Sequence, residues 1–167
     1  MKNLEKVNIT YKVNKSDDRK LSIINIVYIF VICAFIGWLF EVTYCYFQFG
    51  YFMNRGMLFG PFCSIYGFGG VILYILFYNV KADIKNIPYT FITASVILGA
   101  FELLSGLILK YIFNIEMWNY NGAFLEILNY TTVPILIGWG ILGTLYIYFI
   151  QPMLLKIISF IPIGFVK

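Results

Sequence analysis

The sequence predicts an all-α membrane protein: a polytopic bundle of about four transmembrane helices plus a C-terminal interfacial helix, with both termini cytoplasmic. Hydrophobic residues make up 61% of the chain and charged residues 12%, whereas a soluble domain carries about 25% charged residues. Apolar runs of about 20 residues recur, and each is long enough to cross a bilayer as a helix. The basic residues cluster at one end, which is typical of a topology signal.

The first element is a basic tail, residues 1–20. It holds six of the twelve Lys and Arg in the chain, so the positive-inside rule predicts a cytoplasmic tail. Such a cluster also favours contact with anionic lipid over contact with nucleic acid. The apolar run that follows is too long for the core of a signal peptide, so the first helix is expected to stay as an anchor.

Residues 21–150 are predicted to form the four-span bundle, and span one covers about 21–49. Small and polar residues recur there at steps of three or four, which places them on one helix face: Ala34, Gly37, Glu41, Cys45 and Gln48. A face of this kind is typical of a helix packed against other helices. A charge at the bilayer centre costs roughly 2.5–3.5 kcal/mol, so Glu41 is a candidate functional residue.

A turn over residues 49–60 and a second span over 61–78 follow. The turn holds Asn54, Arg55 and Gly56. The planar fork of Arg55 suits carboxylates and anionic headgroups. The alternative is a structural turn in which Gly56 adopts an unusual backbone angle and Arg55 extends to the interface.

Span three is predicted over 89–113 and repeats the pattern of span one. Four residues share one face at steps of four, three and four: Ser95, Gly99, Glu102 and Gly106. Two helices therefore each turn a glutamate toward the bundle interior. Intramembrane acids mark substrate, ion or proton sites, although they also serve as structural links between helices.

The remaining elements are a loop, a fourth span and a C-terminal segment. Residues 114–130 are predicted to form an interfacial loop or a short amphipathic helix, with aromatic residues at headgroup level. Span four covers 131–150, and Gln151-Pro152 is expected to end it. Residues 151–167 are predicted to form a membrane-surface segment because the apolar stretch is too short to cross.

The predicted topology places the N-terminus inside, with ten basic residues in the cytoplasm and only Arg55 and Lys110 outside. A rise of about 1.5 Å per residue then puts Glu41 and Glu102 in the outer half of the membrane. We expect Glu41, Glu102 and Arg55 to form a partly buried cluster below the outer surface. The protein is accordingly a multi-pass protein of the cell (cytoplasmic) membrane.

The candidate site residues form two groups. The substrate- or ion-binding candidates are Glu41, Asn54, Arg55, Tyr66 and Glu102. The supporting or interfacial candidates are Trp38, Gly56, Trp118 and Tyr120. The aromatic side chains, together with Trp139, are interpreted as interface anchors in preference to a ligand cage.

Composition argues against metal, cofactor and catalytic chemistry. The chain has no histidine, the commonest metal ligand and general base. Its cysteines (Cys33, Cys45 and Cys63) are odd in number and scattered through apolar runs, which favours buried inert thiols. We therefore expect no metal, no cofactor and no enzymatic activity.

Several of these residues also match a known pattern. The matching residues are Gly37-Trp38, Glu41, Asn54-Arg55-Gly56, Gly60-Pro61, Ile65-Tyr66-Gly67-Phe68-Gly69, Glu102, Gly106, Trp118, Tyr120, Pro134, Trp139-Gly140 and Pro152. In these, residues 35–152 resemble the bacterial family called putative ABC-transporter type IV, or putative ABC transporter permease. The chain departs from that pattern at Asn119, where the family has Asp, and at Asn129-Tyr130, where it has Gly-Arg.

The resemblance implies a permease subunit of a transporter. The chain has no Gly-x-x-x-x-Gly-Lys-Ser/Thr sequence for binding nucleotide phosphates, so the ATPase would be a separate cytoplasmic subunit. Four spans are few for a transport pathway, which implies a homo-oligomer. The alternative function is a non-transporting membrane protein that binds lipid or regulates a partner, with a structural polar cluster.

Overall fold

The structure, a computed structural model, describes residues 23–54, 60–77 and 83–160. Three predicted features lie outside the described residues: the basic tail, the last seven residues, and Arg55 with Gly56. The predictions for them stay predictions.

The described chain forms two antiparallel helical hairpins. The helices are α1 (Ile23–Phe49), α2 (Ser64–Phe77), α3 (Ile87–Tyr111), α4 (Val133–Leu145) and α5 (Gln151–Ser159). α1 packs along α2, and α3 packs along α4. The predicted all-α class is confirmed for the described residues.

Three helical segments are long and apolar enough to cross a membrane: Ile23–Phe49, Ile84–Tyr111 and Val133–Ser159. The second of these begins with a short 3₁₀ turn, Ile84–Asn86. α2 has 14 residues, which correspond to about 21 Å of helix, whereas the hydrocarbon core is about 30 Å thick. A multi-pass membrane protein is thus supported, while the number of four spans and the orientation of the termini stay predictions.

Small residues set the close approach of the helices within each hairpin. Gly70 of α2 lies against Cys33 of α1, where an added Cβ would come 2.7 Å from the Cys33 Sγ atom. In the second hairpin, Gly143 of α4 lies against Ala94 of α3. Such contacts are how membrane helices gain packing energy, because lipid is as apolar as their side chains.

The core lies between the two hairpins and extends toward the C-terminal end of the described chain. Its buried side chains come from α1, α2, α3, α5 and the residues between α4 and α5: Ile29, Cys33, Leu73, Tyr74, Phe77, Ala94, Leu98, Tyr146, Ile147, Leu154 and Ile158. Many large apolar side chains of α1, α3 and α4 remain exposed. In a membrane protein these form the surface that faces lipid.

The predicted end of span four at Gln151-Pro152 is wrong. The helix continues from α4 through a π-helical segment, Tyr146–Ile150, into α5. Pro152 lies in the first turn of α5, directly after the wider π turn in which the Gln151 amide donates to the Tyr146 carbonyl. A π turn accommodates the missing proline N–H and its ring, so the helix does not break there.

The continuation also changes the description of the C-terminal segment. Leu154 and Ile158 are buried in the core, and α5 contacts α1. The segment therefore begins as part of the long helix rather than as a separate element. Its predicted position on the membrane surface stays a prediction.

Residues 112–132, called the long loop below, form a loop and not an amphipathic helix. Two-residue strands β1 (Glu126–Ile127) and β2 (Thr131–Thr132) pair antiparallel within it, with Ile127 opposite Thr131. Leu125, Leu128 and Asn129 have positive φ angles, an uncommon backbone conformation for residues other than glycine. The loop thus has a defined conformation and folds back over the end of the second hairpin.

Candidate functional site

The buried carboxylate of Glu102 is the centre of the polar contacts in the second hairpin. Glu102 lies on the face of α3 predicted to be internal, and it is 5% exposed. Its Oε2 atom accepts hydrogen bonds from the Thr131 hydroxyl at 2.8 Å and from the Trp139 indole N–H at 3.1 Å. Its Oε1 atom accepts one from the Tyr120 hydroxyl at 3.3 Å.

The donor Thr131 is held in place by the start of α4. It lies in β2, and the next residue, Thr132, caps α4 by accepting a hydrogen bond from the Ile135 amide at 3.2 Å. This N-cap fixes the path of the chain into the helix. Trp139 then follows about two turns along α4, where its indole reaches the same carboxylate oxygen as Thr131.

The long loop is anchored over Glu102 by three aromatic residues. The Tyr120 amide donates to the Asn129 carbonyl at 2.8 Å, which holds Tyr120 above α3. The Trp118 indole donates to the Tyr130 carbonyl at 3.0 Å. The ring of Tyr130 packs on Gly106, where an added Cβ would come 2.7 Å from the ring. The loop can therefore lie close to α3 only because position 106 has no side chain.

Glu41 occupies the corresponding position in the first hairpin. Its Oε1 atom accepts a hydrogen bond from the Tyr66 hydroxyl of α2 at 2.7 Å. The base of the Tyr66 ring packs directly on Gly37, one turn before Glu41 on the same face of α1. Glu41 is half-buried, whereas Gln48 on the same predicted face is exposed.

Tyr66 and Trp139 bring the two hairpins together at the site. Their ring centroids lie 5.4 Å apart, and each ring also donates a hydrogen bond to the glutamate of its own hairpin. The two carboxylates are close enough to interact electrostatically. The structure thus brings Glu41, Tyr66, Glu102 and Tyr120 together.

Asn54 lies beyond the end of α1, where its Oδ1 atom accepts a hydrogen bond from the Trp38 indole at 2.7 Å. Trp38 also packs against Phe52, with ring centroids 6.5 Å apart. The contact holds the chain after α1 back along the helix. Asn54 directly precedes Arg55 and Gly56 in the sequence, and these two residues lie outside the described part of the chain.

Thr131 and Trp139 are site residues that the sequence did not indicate. The sequence predicts Trp139 as an interface anchor and Thr131 only as the start of a span. Nothing in their spacing relates them to Glu102, because they lie on a strand and a helix that the loop brings back to α3. The signal was chemical: a buried carboxylate needs donors, and both side chains can supply one.

A separate pair of charges joins the last turn of α3 to the long loop. The Lys110 ammonium lies 2.7 Å from a carboxylate oxygen of Glu116, and the Asn119 amide donates to the other oxygen at 3.0 Å. These hydrogen bonds, first from Lys110 and then from Asn119, lower the pKa of Glu116 below its usual value. Asn119, one of the departures from the family pattern, therefore has a local role in the loop.

The carboxylates of the described site can hold charge or a proton. No cluster of three or more His, Cys, Asp or Glu side chains that could hold a metal occurs within residues 23–54, 60–77 and 83–160. Two open surface cavities in the described chain have apolar linings. One lies between α3 and α4 and the other on α1, so neither opens onto the two glutamates.

Comparison with known proteins gives one match. The model of the family described as putative ABC-transporter type IV matches residues 28–167. No curated protein and no solved structure matches the chain. The matched region contains both glutamates and all of their described hydrogen-bond donors.

Proposed function

We propose that this chain, which belongs to the putative ABC-transporter type IV family, is the membrane-embedded permease subunit of a transporter. In this proposal Glu41, Arg55 and Glu102 line a cavity open to the outer face, and the chain has no catalytic activity of its own. A separate ATPase subunit docks on the cytoplasmic side, and several copies of the chain build the pathway in the cytoplasmic membrane.

The observation that carries the proposal is the pairing of two intramembrane glutamates at the contact between two hairpins. Glu102 is buried and Glu41 half-buried, and the Tyr66–Trp139 ring contact lies between their hairpins. Acids at such positions are costly and mark substrate or ion pathways in membrane proteins. Transporters commonly bind their substrates between repeated helical units.

A second candidate function is a non-transporting membrane protein that binds lipid or regulates a partner. The tight packing of Gly37 on Tyr66 and of Gly106 on Tyr130 favours it, because these contacts leave little space beside the carboxylates. In this alternative the hydrogen bonds to Glu102 only fix the loop and helices. Interhelical polar contacts in membranes stabilise a protein by only about 0.6 kcal/mol on average. This small gain argues against burying an acid for stability alone.

The first experiment is recovery of the tagged protein from its native membrane in mild detergent, with partners identified by mass spectrometry. An unrelated tagged polytopic protein serves as the control. A stoichiometric partner with a nucleotide-binding Gly-x-x-x-x-Gly-Lys-Ser/Thr sequence supports the permease proposal. Recovery of a homo-oligomer alone contradicts it and favours the second candidate.

The role of the glutamates is tested on the recovered complex in lipid nanodiscs. We expect Glu41→Gln and Glu102→Gln each to lower the rate of ATP hydrolysis by the complex at least tenfold. The ratio of the two subunits should stay the same. A tenfold change corresponds to about 1.4 kcal/mol of coupling between the site and the ATPase. The exposed carboxylate of Glu126 provides the matched variant, Glu126→Gln, which should retain activity. Equal activity of all three variants would contradict a role for the site.

Arg55 is tested by a double-mutant cycle of Glu41→Gln and Arg55→Gln with the same readout. If the guanidinium neutralises Glu41, the effects of the two substitutions will be non-additive. Additive effects would remove Arg55 from the proposed cluster and leave the two glutamates as the site.

A further inference from the structure

All three side chains that bind the Glu102 carboxylate are neutral hydrogen-bond donors. They are Tyr120, Thr131 and Trp139, and no Lys or Arg in the described chain forms an ion pair with Glu102. Among the described residues, the Glu102 carboxylate is therefore bound by the dipoles of neutral donors. From this geometry we infer that Glu102 is a reversible proton-binding site whose protonation at Oε1 loosens the long loop from the bundle.

The proton goes to Oε1 because of the chemistry of the donors on the other oxygen. The Trp139 indole N–H can only donate, and it shares Oε2 with the Thr131 hydroxyl, which lies 2.8 Å away. Oε1 has the longer contact, 3.3 Å, with the Tyr120 hydroxyl. A hydroxyl can accept as well as donate, so a hydronium ion can transfer its proton to Oε1 and leave as water. The new O–H group then donates to the Tyr120 oxygen.

Neutralising the carboxylate weakens the hydrogen bonds that it accepts from Thr131 and Trp139, and Tyr120 no longer donates to an ionised oxygen. Bonds to an ionised acceptor are roughly twice as strong as bonds between neutral groups. Two of the three donors, Tyr120 and Thr131, belong to the long loop, so the loop loses more than the helix pair does. Protonation thus changes the attachment of a loop while the contacts between α3 and α4 below it remain.

Other titratable groups surround the site and must be separated from Glu102. Glu41 and Tyr66 face it from the first hairpin, and Tyr130 lies beside it in the loop. Farther out, the loop carries Glu116, bound to Lys110, and Glu126, which accepts a hydrogen bond from the Gly122 amide. The decisive comparison is therefore wild type against Glu102→Gln at the same pH.

Infrared difference spectroscopy tests the protonation itself, on the full-length protein in lipid nanodiscs. Acidification of the wild type should produce a carbonyl stretching band of a protonated carboxyl group, shifted in heavy water. The band should be lost in Glu102→Gln and kept in Glu41→Gln. If no carboxyl band is lost in Glu102→Gln across the pH range, the inference is wrong.

Hydrogen exchange tests the coupling to the loop through the amides of Tyr120, Ala123 and Val133, which are hydrogen-bonded within it. In the wild type their protection factors should fall roughly tenfold on acidification, the effect of losing one hydrogen bond to a charged group. In Glu102→Gln protection should be low at every pH. A pH response that remains undiminished in this variant would assign the effect to another titratable group and contradict the coupling through Glu102.

Two tyrosine variants keep the test decisive if Glu102→Gln fails to fold. Tyr120→Phe should keep the infrared band and lose protection of the loop at every pH. Tyr130→Phe is the control, because the Tyr130 hydroxyl belongs to the same loop but does not donate to Glu102. This variant should respond to pH like the wild type. Equal protection in the wild type and Tyr120→Phe would overturn the coupling. None of these measurements depends on transport, so they can succeed where the proposed permease function fails.

Discussion

Replacing Gly37 by alanine should disturb the first hairpin at the point where it holds Glu41. A Cβ atom at position 37 would overlap the Cβ and Cγ atoms of Tyr66. Those atoms lie at the base of the side chain, close to the backbone of α2, so no rotation of a flexible tip can relieve the overlap. Either α2 must move away from α1, or Tyr66 must leave the rotamer in which its hydroxyl reaches Glu41.

Three contributions to the free energy of unfolding determine the magnitude, two of which lower it and one of which raises it. Overpacking of this kind costs about 1–3 kcal/mol. Alanine is a better helix former than glycine by about 1 kcal/mol, which offsets part of that cost. A displaced Tyr66 also weakens its bond to Glu41, worth about 0.6 kcal/mol for an average interhelical contact in a membrane. The expected net loss is about 0.6–2.6 kcal/mol.

The assay is reversible unfolding of the purified protein in mixed micelles, with Gly138→Ala as the matched control. Gly138 is also inside a helix, but nothing lies within 4 Å of an added Cβ there. Gly138→Ala should therefore leave stability unchanged or raise it by up to about 1 kcal/mol. If Gly37→Ala is as stable as Gly138→Ala, the close contact with Tyr66 does not exist as described.

Three further predictions concern the second hairpin. Trp139→Phe keeps a ring but removes a donor to the buried Glu102, and it should lower the free energy of unfolding by about 1–2 kcal/mol in the same assay; an unchanged value would contradict the bond. Thr132→Ala removes the N-cap of α4 and should cost about 1 kcal/mol, whereas an unchanged value would mean that the cap is made by another group. Pairing with Lys110 lowers the pKa of Glu116 in the folded protein. The pairing therefore stabilises the fold at pH values above 4.5, the ordinary pKa of the group. This stabilisation is lost as the pH falls through the lower pKa of the folded state. The stability of Glu116→Gln should thus lack that acidic step, and a step of the wild-type size in this variant would assign it to another carboxylate.

The helices were predictable because lipid imposes a length and a composition on them. The predicted start and end of span three, residues 89 and 113, each lie two residues from the ends of α3, Ile87 and Tyr111. The face carrying Glu102 was predictable for the same reason, since Gly99 and Gly106 are buried with it. Helical periodicity relates residues on one helix, and there the sequence was a sufficient guide.

Periodicity could not predict where a helix ends when its winding changes. Pro152 is an ordinary helix terminator when the preceding turns are α-helical. Here the turn before it is a π turn, Tyr146–Ile150, which depends on packing against the rest of the core. Tyr146 and Ile147 are buried in that core, and no local sequence rule contains this contact.

The partners of Glu102 were not predictable because they depend on the return path of the long loop. The path requires positive φ angles at Leu125 and Leu128, which no residue preference would assign to leucine. The same path turns Trp118 and Tyr120 toward the bundle, although both are also suited to the membrane interface. An amphipathic ring with one polar atom fits either place, and only the tertiary fold decides between them.

The two hairpins are built in the same way, and this explains why the site lies where they meet. In each hairpin the first helix carries a glutamate, and the second helix contributes a donor, Tyr66 to Glu41 and Trp139 to Glu102. These bonds stay within a hairpin, whereas the contact between the two donor rings crosses from one hairpin to the other. Each glutamate is therefore held by its own hairpin, and the ring contact joins the two donors, so the site forms where the hairpins meet.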